Sequence, residues 1–178
     1  ASMIAALRTG KIDIMCFFSQ LTWEEADQIK STNPDIQQAI VPQGARAIEL
    51  RVDQKPFDDI RVRKALQMSI DRETITDTIY GGNALDKPAG MIHPILKDYC
   101  FAYEDWPQEL KDGYSYDPEG AKALLAEAGY PSGFETNCYI GSNADLALAE
   151  IIRAYFMDIG VDCELKVLEI ASLQGITR

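Results

Sequence analysis

The chain has 178 residues, of which 47% are hydrophobic and 25% are charged, and this balance supports a folded core rather than a disordered tail. Its formal net charge of −11 argues against nucleic acid and anionic membrane surfaces as partners, because both need a basic protein face. No apolar run approaches the ~20 residues that a membrane-spanning helix needs.

The first third of the chain predicts short helices and strands in alternation. Residues 3–7 predict a helix that ends near Gly10, since glycine is a usual helix stop. Thr22 is the predicted cap of a helix over residues 22–30, whose first turn carries acids that suit the helix dipole. Apolar runs predict strands over residues 12–17, 36–41 and 45–52, with the turn signal Pro42-Gln43-Gly44 between the last two.

Two helices are predicted in the next segment. The first is capped by Asp58 or Asp59, and the second is capped by Asp71 and covers residues 72–80, where a pair of glycines follows. The apolar face predicted for the first of these helices consists of Ile60, Ala65, Leu66 and Ile70.

Residues 84–116 break the helical pattern with prolines, acids and aromatic rings. A loop of this length inside a compact domain is unusual unless it wraps the surface or serves a site. Its rings could stack on a ligand, or they could fasten the loop to the core; the second reading is favoured because rings bury large apolar areas. The rings in question lie between Tyr99 and Tyr116 and include Phe101, Tyr103, Trp106 and Tyr114.

The last third of the chain predicts a strand–helix–strand unit. It follows a helix over residues 117–129, in which Asp117 caps, Pro118 takes the first position and Gly129 closes. Strands over residues 134–140 and 161–167 flank a helix over residues 144–159. Short links between them imply a right-handed crossover and a parallel pair. The predicted class is therefore α/β, with a mixed sheet and flanking helices.

Few residues have the pattern of an active site. Asp58 and Asp59 lie beside arginines, but a cap and surface ion pairs account for them, and His93 has no serine or cysteine motif near it. The glycine turns lack the lysine and serine or threonine of a phosphate loop, so no nucleotide and no other cofactor is predicted. The scattered cysteines do not form a zinc motif, and two of them are predicted to be buried thiols rather than disulfide partners or ligands. The four cysteines are Cys16, Cys100, Cys138 and Cys163, and the two predicted buried thiols are Cys138 and Cys163.

Three stretches together resemble the family 5 extracellular solute-binding proteins, the group that includes dipeptide-, oligopeptide- and nickel-binding proteins. Each of these motifs is short, but the occurrence of all three in this order is specific to the family. The resemblance covers nearly the whole chain. The stretches are Gly10-Lys11-Ile12-Asp13-Ile14, the run from Pro56-Phe57-Asp58-Asp59 to Ile70-Asp71-Arg72, and the run from Tyr116-Asp117-Pro118-Glu119 to Tyr130.

The resemblance implies one lobe of a two-lobed fold of the periplasmic-binding-protein type II kind. Residues 1–44 would be the return segment from the first lobe, and residues 45–178 would form the second lobe, incomplete at its C-terminal end. Such proteins work outside the cytoplasm with the membrane subunits of an ABC importer. The first ten residues lack the features of a signal peptide, so a targeting segment is expected upstream.

The function implied is capture of a peptide or similar small solute, without catalysis. Nickel chelates, sugars and opines are bound by similar proteins and remain open as ligands. The segment 45–52 would leave one lobe for the other, and Arg46 is the one ligand-contact residue predicted there. Relatives usually have asparagine where this chain has Asp53, so a hinge hydrogen bond from that amide is not expected here. Two functions of other classes stay open: a hydrolase-like enzyme that uses Asp58, Asp59 or His93, and a protein–protein interaction module that uses the loop 99–116.

Overall fold

A computed structural model describes residues 3–15, 21–39, 46–88, 92, 96–142 and 144–176. The chain divides into two compact units, Ala1–Gly44 and Ala45–Arg178. The assignment of these segments to two lobes stays a prediction. The helices and strands are α1 (Met3–Arg8), α2 (Trp23–Thr32), α3 (Ile60–Met68), α4 (Arg72–Tyr80), α5 (Gln108–Asp112), α6 (Pro118–Glu127), β1 (Phe134–Gly141), α7 (Leu146–Asp158), β2 (Val161–Leu168) and α8 (Ile170–Ile176), and short 3-10 turns cover Lys97–Tyr99 and Tyr103–Asp105.

The first unit contains the two helices predicted for it. Thr22 and Glu25 form a reciprocal cap at the start of α2: the Thr22 hydroxyl accepts from the Glu25 N–H at 3.2 Å, and the Glu25 carboxylate accepts from the Thr22 N–H at 3.0 Å. Ile29 is buried with 1% of its surface exposed, and Arg8 of α1 donates to Asn33 just beyond α2. Local capping chemistry and one buried side chain therefore hold α2 in place.

The strands predicted over 12–17, 36–41 and 45–52 were wrong in the parts that the structure describes. Those parts have no regular secondary structure, and none of them joins a ladder of backbone hydrogen bonds. The remaining residues of the three segments lie outside the described residues. An apolar run favours an extended chain, but it becomes a strand only when a neighbouring backbone pairs with its N–H and C=O groups.

Four aspartates cap helices in the second unit. Asp59, rather than Asp58, caps α3 by accepting from the N–H of Arg61 at 2.8 Å. Asp71 caps α4, and Asp117 caps α6, as predicted, while Asp145 caps α7. A cap of this kind satisfies an N–H that the helix cannot pair internally.

The core of the second unit lies where α3 and α6 pack against each other and against β2 and the end of α7. The buried side chains of this core are Val62, Ala65, Leu66, Ala121, Leu125, Phe156, Ile159, Val161 and Cys163. Burying a side chain the size of valine or leucine contributes about 1.5–3 kcal/mol, so this cluster is the main source of stability.

The predicted apolar face of α3 was right for Ala65 and Leu66 but wrong for Ile60. Ile60 is 56% exposed, whereas Val62, which was not predicted, is fully buried. The buried positions 62, 65, 66 and 69 follow the i, i+3, i+4, i+7 spacing of one helix face, and position 60 falls on the other side.

The sheet in the described residues is a parallel pair. β1 and β2 run in register from Phe134 opposite Val161 to Gly141 opposite Leu168, and α7 connects them. The predicted strand–helix–strand unit and the α/β class are thus confirmed. Among the described residues, no helix combines the length and the apolar character needed to cross a bilayer.

Candidate ligand-binding surface

Residues 46–52 lie at the start of the second unit, have no regular secondary structure and are exposed except for Leu50. Leu50 packs against the core and fastens the segment, while the side chains of Ile48 and Val52 remain 45% and 58% exposed. Exposed apolar side chains such as these are available to contact another molecule.

Arg46 lies at the exposed start of this segment. The residue is exposed, and no hydrogen bond or ion pair joins its guanidinium to another residue in the described part of the chain. Guanidinium groups pair readily with carboxylates through two parallel hydrogen bonds. The position is therefore chemically suited to an acidic ligand group, although its role as a ligand contact stays a prediction.

Asp53 follows the same segment and is engaged by Arg51. The Arg51 guanidinium donates to both carboxylate oxygens, at 2.9 and 2.7 Å. This hydrogen bond lowers the pKa of Asp53 and raises that of Arg51. The carboxylate of Asp53 is thus paired with the guanidinium of its neighbour Arg51.

Three rings of the loop 96–116 form one cluster, which we call the aromatic cluster: Tyr103, Trp106 and Tyr114. The ring centroids of Trp106 lie 5.5 Å from Tyr103 and 5.7 Å from Tyr114, in tilted and edge-to-face arrangements. Rings favour such geometries because the positive edge of one meets the negative face of another. The rings were predicted to fasten the loop to the core, but these three contact one another, and none of them is among the side chains packed against the core of the second unit.

Two cations contact the aromatic cluster, and neither contact was predicted from the sequence. Lys111 lies 5.6 Å from the centre of the Tyr103 ring and donates to the Glu104 carbonyl at 2.6 Å. Arg72 lies 5.7 Å from the centre of the Tyr114 ring and donates to the Tyr114 carbonyl at 3.0 Å. Burial lowers the pKa of Arg72, so the guanidinium is partly removed from water here. The spacing of cations and rings along a sequence does not reveal such pairs, since the fold decides which ring each cation meets.

Phe101 and Tyr99 did not follow the prediction for the loop. Their side chains are 83% and 74% exposed. Phe101 borders a depression of about 340 Å³, whose other walls are Asp105, Trp106, Pro107 and Leu110. A depression of this volume is at the small end of the range for ligand pockets. In this loop the three rings of the aromatic cluster contact one another, whereas the rings of Phe101 and Tyr99 face solvent.

The carboxylates considered for catalysis do not form an acid–base pair. Asp59 accepts from the backbone and the guanidinium of Arg61, and these hydrogen bonds lower its pKa to about 2. Asp58 is exposed, and with Asp59 it lines a second depression, of about 300 Å³, together with Lys55, Ala128 and Tyr130. His93 lies outside the described residues.

The cysteines in the described residues are free thiols. Cys163 is buried with 3% of its surface exposed, Cys138 is half-buried, and Cys100 lies in the aromatic loop. Cys16 lies outside the described part. No group of three or more histidine, cysteine, aspartate or glutamate side chains suited to a metal ion occurs in the part of the chain that the structure describes.

Two curated relatives are named as binding proteins. Heme-binding protein A of Haemophilus influenzae is 34% identical over 166 residues, which cover 88% of this chain and 28% of that protein. The glutathione-binding protein GsiB of Salmonella typhimurium is 30% identical over 168 residues, which cover 93% of this chain and 30% of that protein. The chain thus spans less than a third of the length of these curated relatives.

A solved structure has the same fold. The periplasmic binding protein DppA of Helicobacter pylori, in complex with the peptide STSA, superimposes with a TM-score of 0.73 at 26% identity, over 96% of this chain and 31% of that one. The sequence model described as "Bacterial extracellular solute-binding proteins, family 5 Middle" matches residues 1–176. The resemblance seen in the sequence motifs is therefore confirmed: this chain belongs to the bacterial extracellular solute-binding proteins of family 5.

Proposed function

We propose that this chain is part of the substrate-binding protein of an ABC importer, and that it presents one wall of the site that captures a small solute outside the cytoplasm. The observation that carries the proposal is the aromatic loop: Phe101 and Trp106 line the same depression, Phe101 is exposed, and Trp106 is in contact with two neighbouring rings. A pre-organised apolar surface loses little conformational entropy when it binds. The family supports the same role, since its members bind solutes.

The ligand we propose is a peptide or a small solute with similar groups. A peptide offers apolar side chains, for which the ring of Phe101 and the apolar wall of Leu110 provide contact, and charged ends. Arg46, which is exposed and makes no ion pair with the described residues, suits the carboxylate of such a ligand, and Asp105 at the edge of the depression suits an amino group. Relatives named for glutathione and for a bound peptide support this ligand class. The relative named for heme adds a larger apolar molecule to the candidate ligands.

We also propose that the protein binds its ligand without transforming it and needs no cofactor. Asp59 is held as an ionised cap, so it has no proton to donate near neutral pH. The partners that follow from the proposal are the remaining lobe of the same protein, which would close over the solute, and the membrane subunits of the importer. The net charge of −11 makes nucleic acid an unsuitable partner.

A thermal-shift screen of the full-length protein tests the ligand class. The panel contains dipeptides, oligopeptides, glutathione, heme, nickel chelates, sugars and opines. A ligand that binds only the folded state raises the unfolding temperature, and at 100 times its Kd it stabilises by about 2.7 kcal/mol. A rise with peptides or glutathione supports the proposal. No rise with any member, or chemical change of the best ligand detected by mass spectrometry, contradicts it.

Two matched pairs of variants then test the surface by calorimetric titration with the best ligand of the screen. Phe101→Ala removes the exposed ring of the loop, and Tyr139→Ala removes an exposed ring from β1. Arg46→Ala and Lys122→Ala each remove one exposed positive charge, the second from α6. We expect the first member of each pair to raise Kd about tenfold or more, which corresponds to about 1.4 kcal/mol. Equal effects within a pair would contradict the assignment of that contact.

A further inference from the structure

Two side chains of the corner between α3 and α4 reach the end of the loop 96–116. The side-chain amide of Gln67 donates to the carbonyl of Gly113 at 2.6 Å, and the guanidinium of Arg72 donates to the carbonyl of Tyr114 at 3.0 Å. A second nitrogen of Arg72 donates to the backbone carbonyl of Gln67 at 3.4 Å. Ser69, which lies between these two residues in the sequence, is only 1% exposed. The end of the loop is therefore hydrogen-bonded to a buried corner of the second unit.

A series of contacts continues from Arg72 to the depression beside Phe101. The guanidinium lies 5.7 Å from the centre of the Tyr114 ring, and the centroid of that ring lies 5.7 Å from the centroid of Trp106, edge to face. The indole N–H of Trp106 donates to the carbonyl of Phe101 at 3.3 Å. Trp106 and Phe101 both line the depression, whereas Arg72 does not. Arg72 thus reaches the wall of the depression through one intervening ring, that of Tyr114.

The aromatic cluster needs such contacts because it does not pack on the core. Its three rings contact one another, and none of them is among the side chains packed against the core of the second unit. A binding surface on a loop keeps one geometry only when neighbouring groups restrict its side chains. Arginine suits this task, since its planar guanidinium can lie over a ring while its N–H groups donate to carbonyls.

We propose that Arg72 is a positioning residue of the depression: through Tyr114 it sets the place of the Trp106 ring, and it does so without contacting the solute. Gln67 supports the same end of the loop at Gly113. The proposal rests on the proposed function in one respect, namely that the depression contacts the solute. A pre-organised surface loses less conformational entropy on binding, so a displaced Trp106 weakens capture.

A purely structural role for Arg72 has different consequences. An arginine that only stabilised the fold would change the unfolding temperature, while the folded molecules would keep the native surroundings of Trp106. Arg63 provides the matched control for this role, since its guanidinium also donates to two backbone carbonyls. These are the carbonyls of Phe57 at 2.7 Å and Asp58 at 3.1 Å, near the start of α3.

Fluorine NMR of the full-length protein, labelled with 5-fluorotryptophan, tests the positioning role without a ligand. Trp106→Phe assigns the Trp106 resonance by its loss. Neighbouring rings shift this resonance, so Arg72→Met is expected to move it towards the position of a solvent-exposed indole. Arg72→Lys keeps a cation and a donor and is expected to restore most of the native position. Arg63→Met is expected to leave the resonance unchanged.

A double variant tests the route through Tyr114. Tyr114→Leu removes the ring between Arg72 and Trp106, so adding Arg72→Met in that background is expected to cause little further shift, as members of one contact network are not additive. An unchanged Trp106 resonance in Arg72→Met overturns the proposal. A full additional shift in the double variant also overturns it, because Arg72 would then act without Tyr114. If Arg72→Met does not fold, Arg72→Gln, which keeps a polar side chain at this half-buried position, takes its place.

Calorimetric titration distinguishes failure of this proposal from failure of the proposed function. The probe is the member of the thermal-shift panel that raises the unfolding temperature most. Arg72→Met is expected to raise its Kd about three- to tenfold, and Arg63→Met to leave it unchanged. A displaced Trp106 resonance with an unchanged Kd supports the positioning role and contradicts the depression as a solute contact. A raised Kd with a native Trp106 resonance overturns the positioning role, because Arg72 would then act on the solute by another route.

Discussion

Arg61 of α3 donates a hydrogen bond of 2.7 Å from its Nη1 atom to the carbonyl oxygen of Glu127 at the end of α6. The last carbonyl groups of a helix have no partner within the helix, and a basic side chain near them also suits the helix dipole. Arg61 simultaneously pairs with Asp59, the cap of its own helix. One side chain thus links the start of α3 to the end of α6, 66 residues away in sequence.

Arg61→Ala is expected to lower the thermal unfolding midpoint by a few degrees, because Glu127 and Asp59 both lose a partner. The matched control is Arg51→Ala, which breaks an exposed ion pair between residues two positions apart. Exposed pairs of this kind contribute little, so the control should stay close to the unchanged protein. Differential scanning fluorimetry measures both, and equal midpoints for the two variants would contradict the linking role of Arg61.

Leu125→Ala should destabilise the second unit strongly. Leu125 is 1% exposed in the core between α3 and α6, and removing a buried leucine side chain costs about 2–5 kcal/mol through lost burial and the cavity left behind. Leu146→Ala is the control, since Leu146 is 52% exposed and its truncation is expected to change the free energy of unfolding by about 0.5 kcal/mol or less. Urea denaturation gives both values, and a small effect at Leu125 would mean that the core is packed differently.

Gly133→Ala tests the close approach of two turns at the start of the sheet. Gly133 has φ of +75°, and a Cβ there would collide with the backbone carbonyl of Gly160. Gly129 has φ of +95° but open space around the Cβ position, so Gly129→Ala carries the conformational strain alone, about 1–2 kcal/mol. We expect Gly133→Ala to lose clearly more stability in urea denaturation. Similar losses for both variants would show that the backbone can move apart at Gly160.

Asp59 should make stability depend on pH in acid. Its pKa of about 2 in the folded protein is below the ordinary value of 3.8, so the folded state favours the ionised form. Its contribution is therefore present above about pH 4 and is lost as the pH falls through 3 towards 2. Asp59→Asn keeps a good capping residue but loses the ion pair with Arg61.

Thermal unfolding of Asp59→Asn and the unchanged protein between pH 2 and pH 6 checks this. The difference in midpoint should be largest above pH 4 and should disappear near pH 2. Asp58→Asn is the matched control, because the Asp58 side chain makes no hydrogen bond or ion pair in the part of the chain that the structure describes. A difference for Asp59→Asn that stays constant over the whole range would contradict the ionised cap.

Much of the helical structure follows from the sequence, because capping is local chemistry. Thr22, Asp71 and Asp117 each stand next to the N–H groups that they accept from, and a side chain needs only a few neighbouring residues to make such a bond. The parallel pair of β1 and β2 was also predicted, since two strands joined by one helix with short links have few other arrangements. The motifs that identify the family lie largely in these local elements.

Tertiary structure alone decided the rest. The segment 46–52 is apolar enough to predict a strand, but no described backbone pairs with it, and pairing is what makes a strand. Val62 rather than Ile60 faces the core because the phase of α3 is set by the helix against which it packs. The ring of Trp106 contacts the rings of Tyr103 and Tyr114, whereas neither of these two tyrosines approaches the exposed ring of Phe101. Cys138 and Cys163 become neighbours through the strand register alone, since contacts between distant parts of a chain depend on how the elements pack.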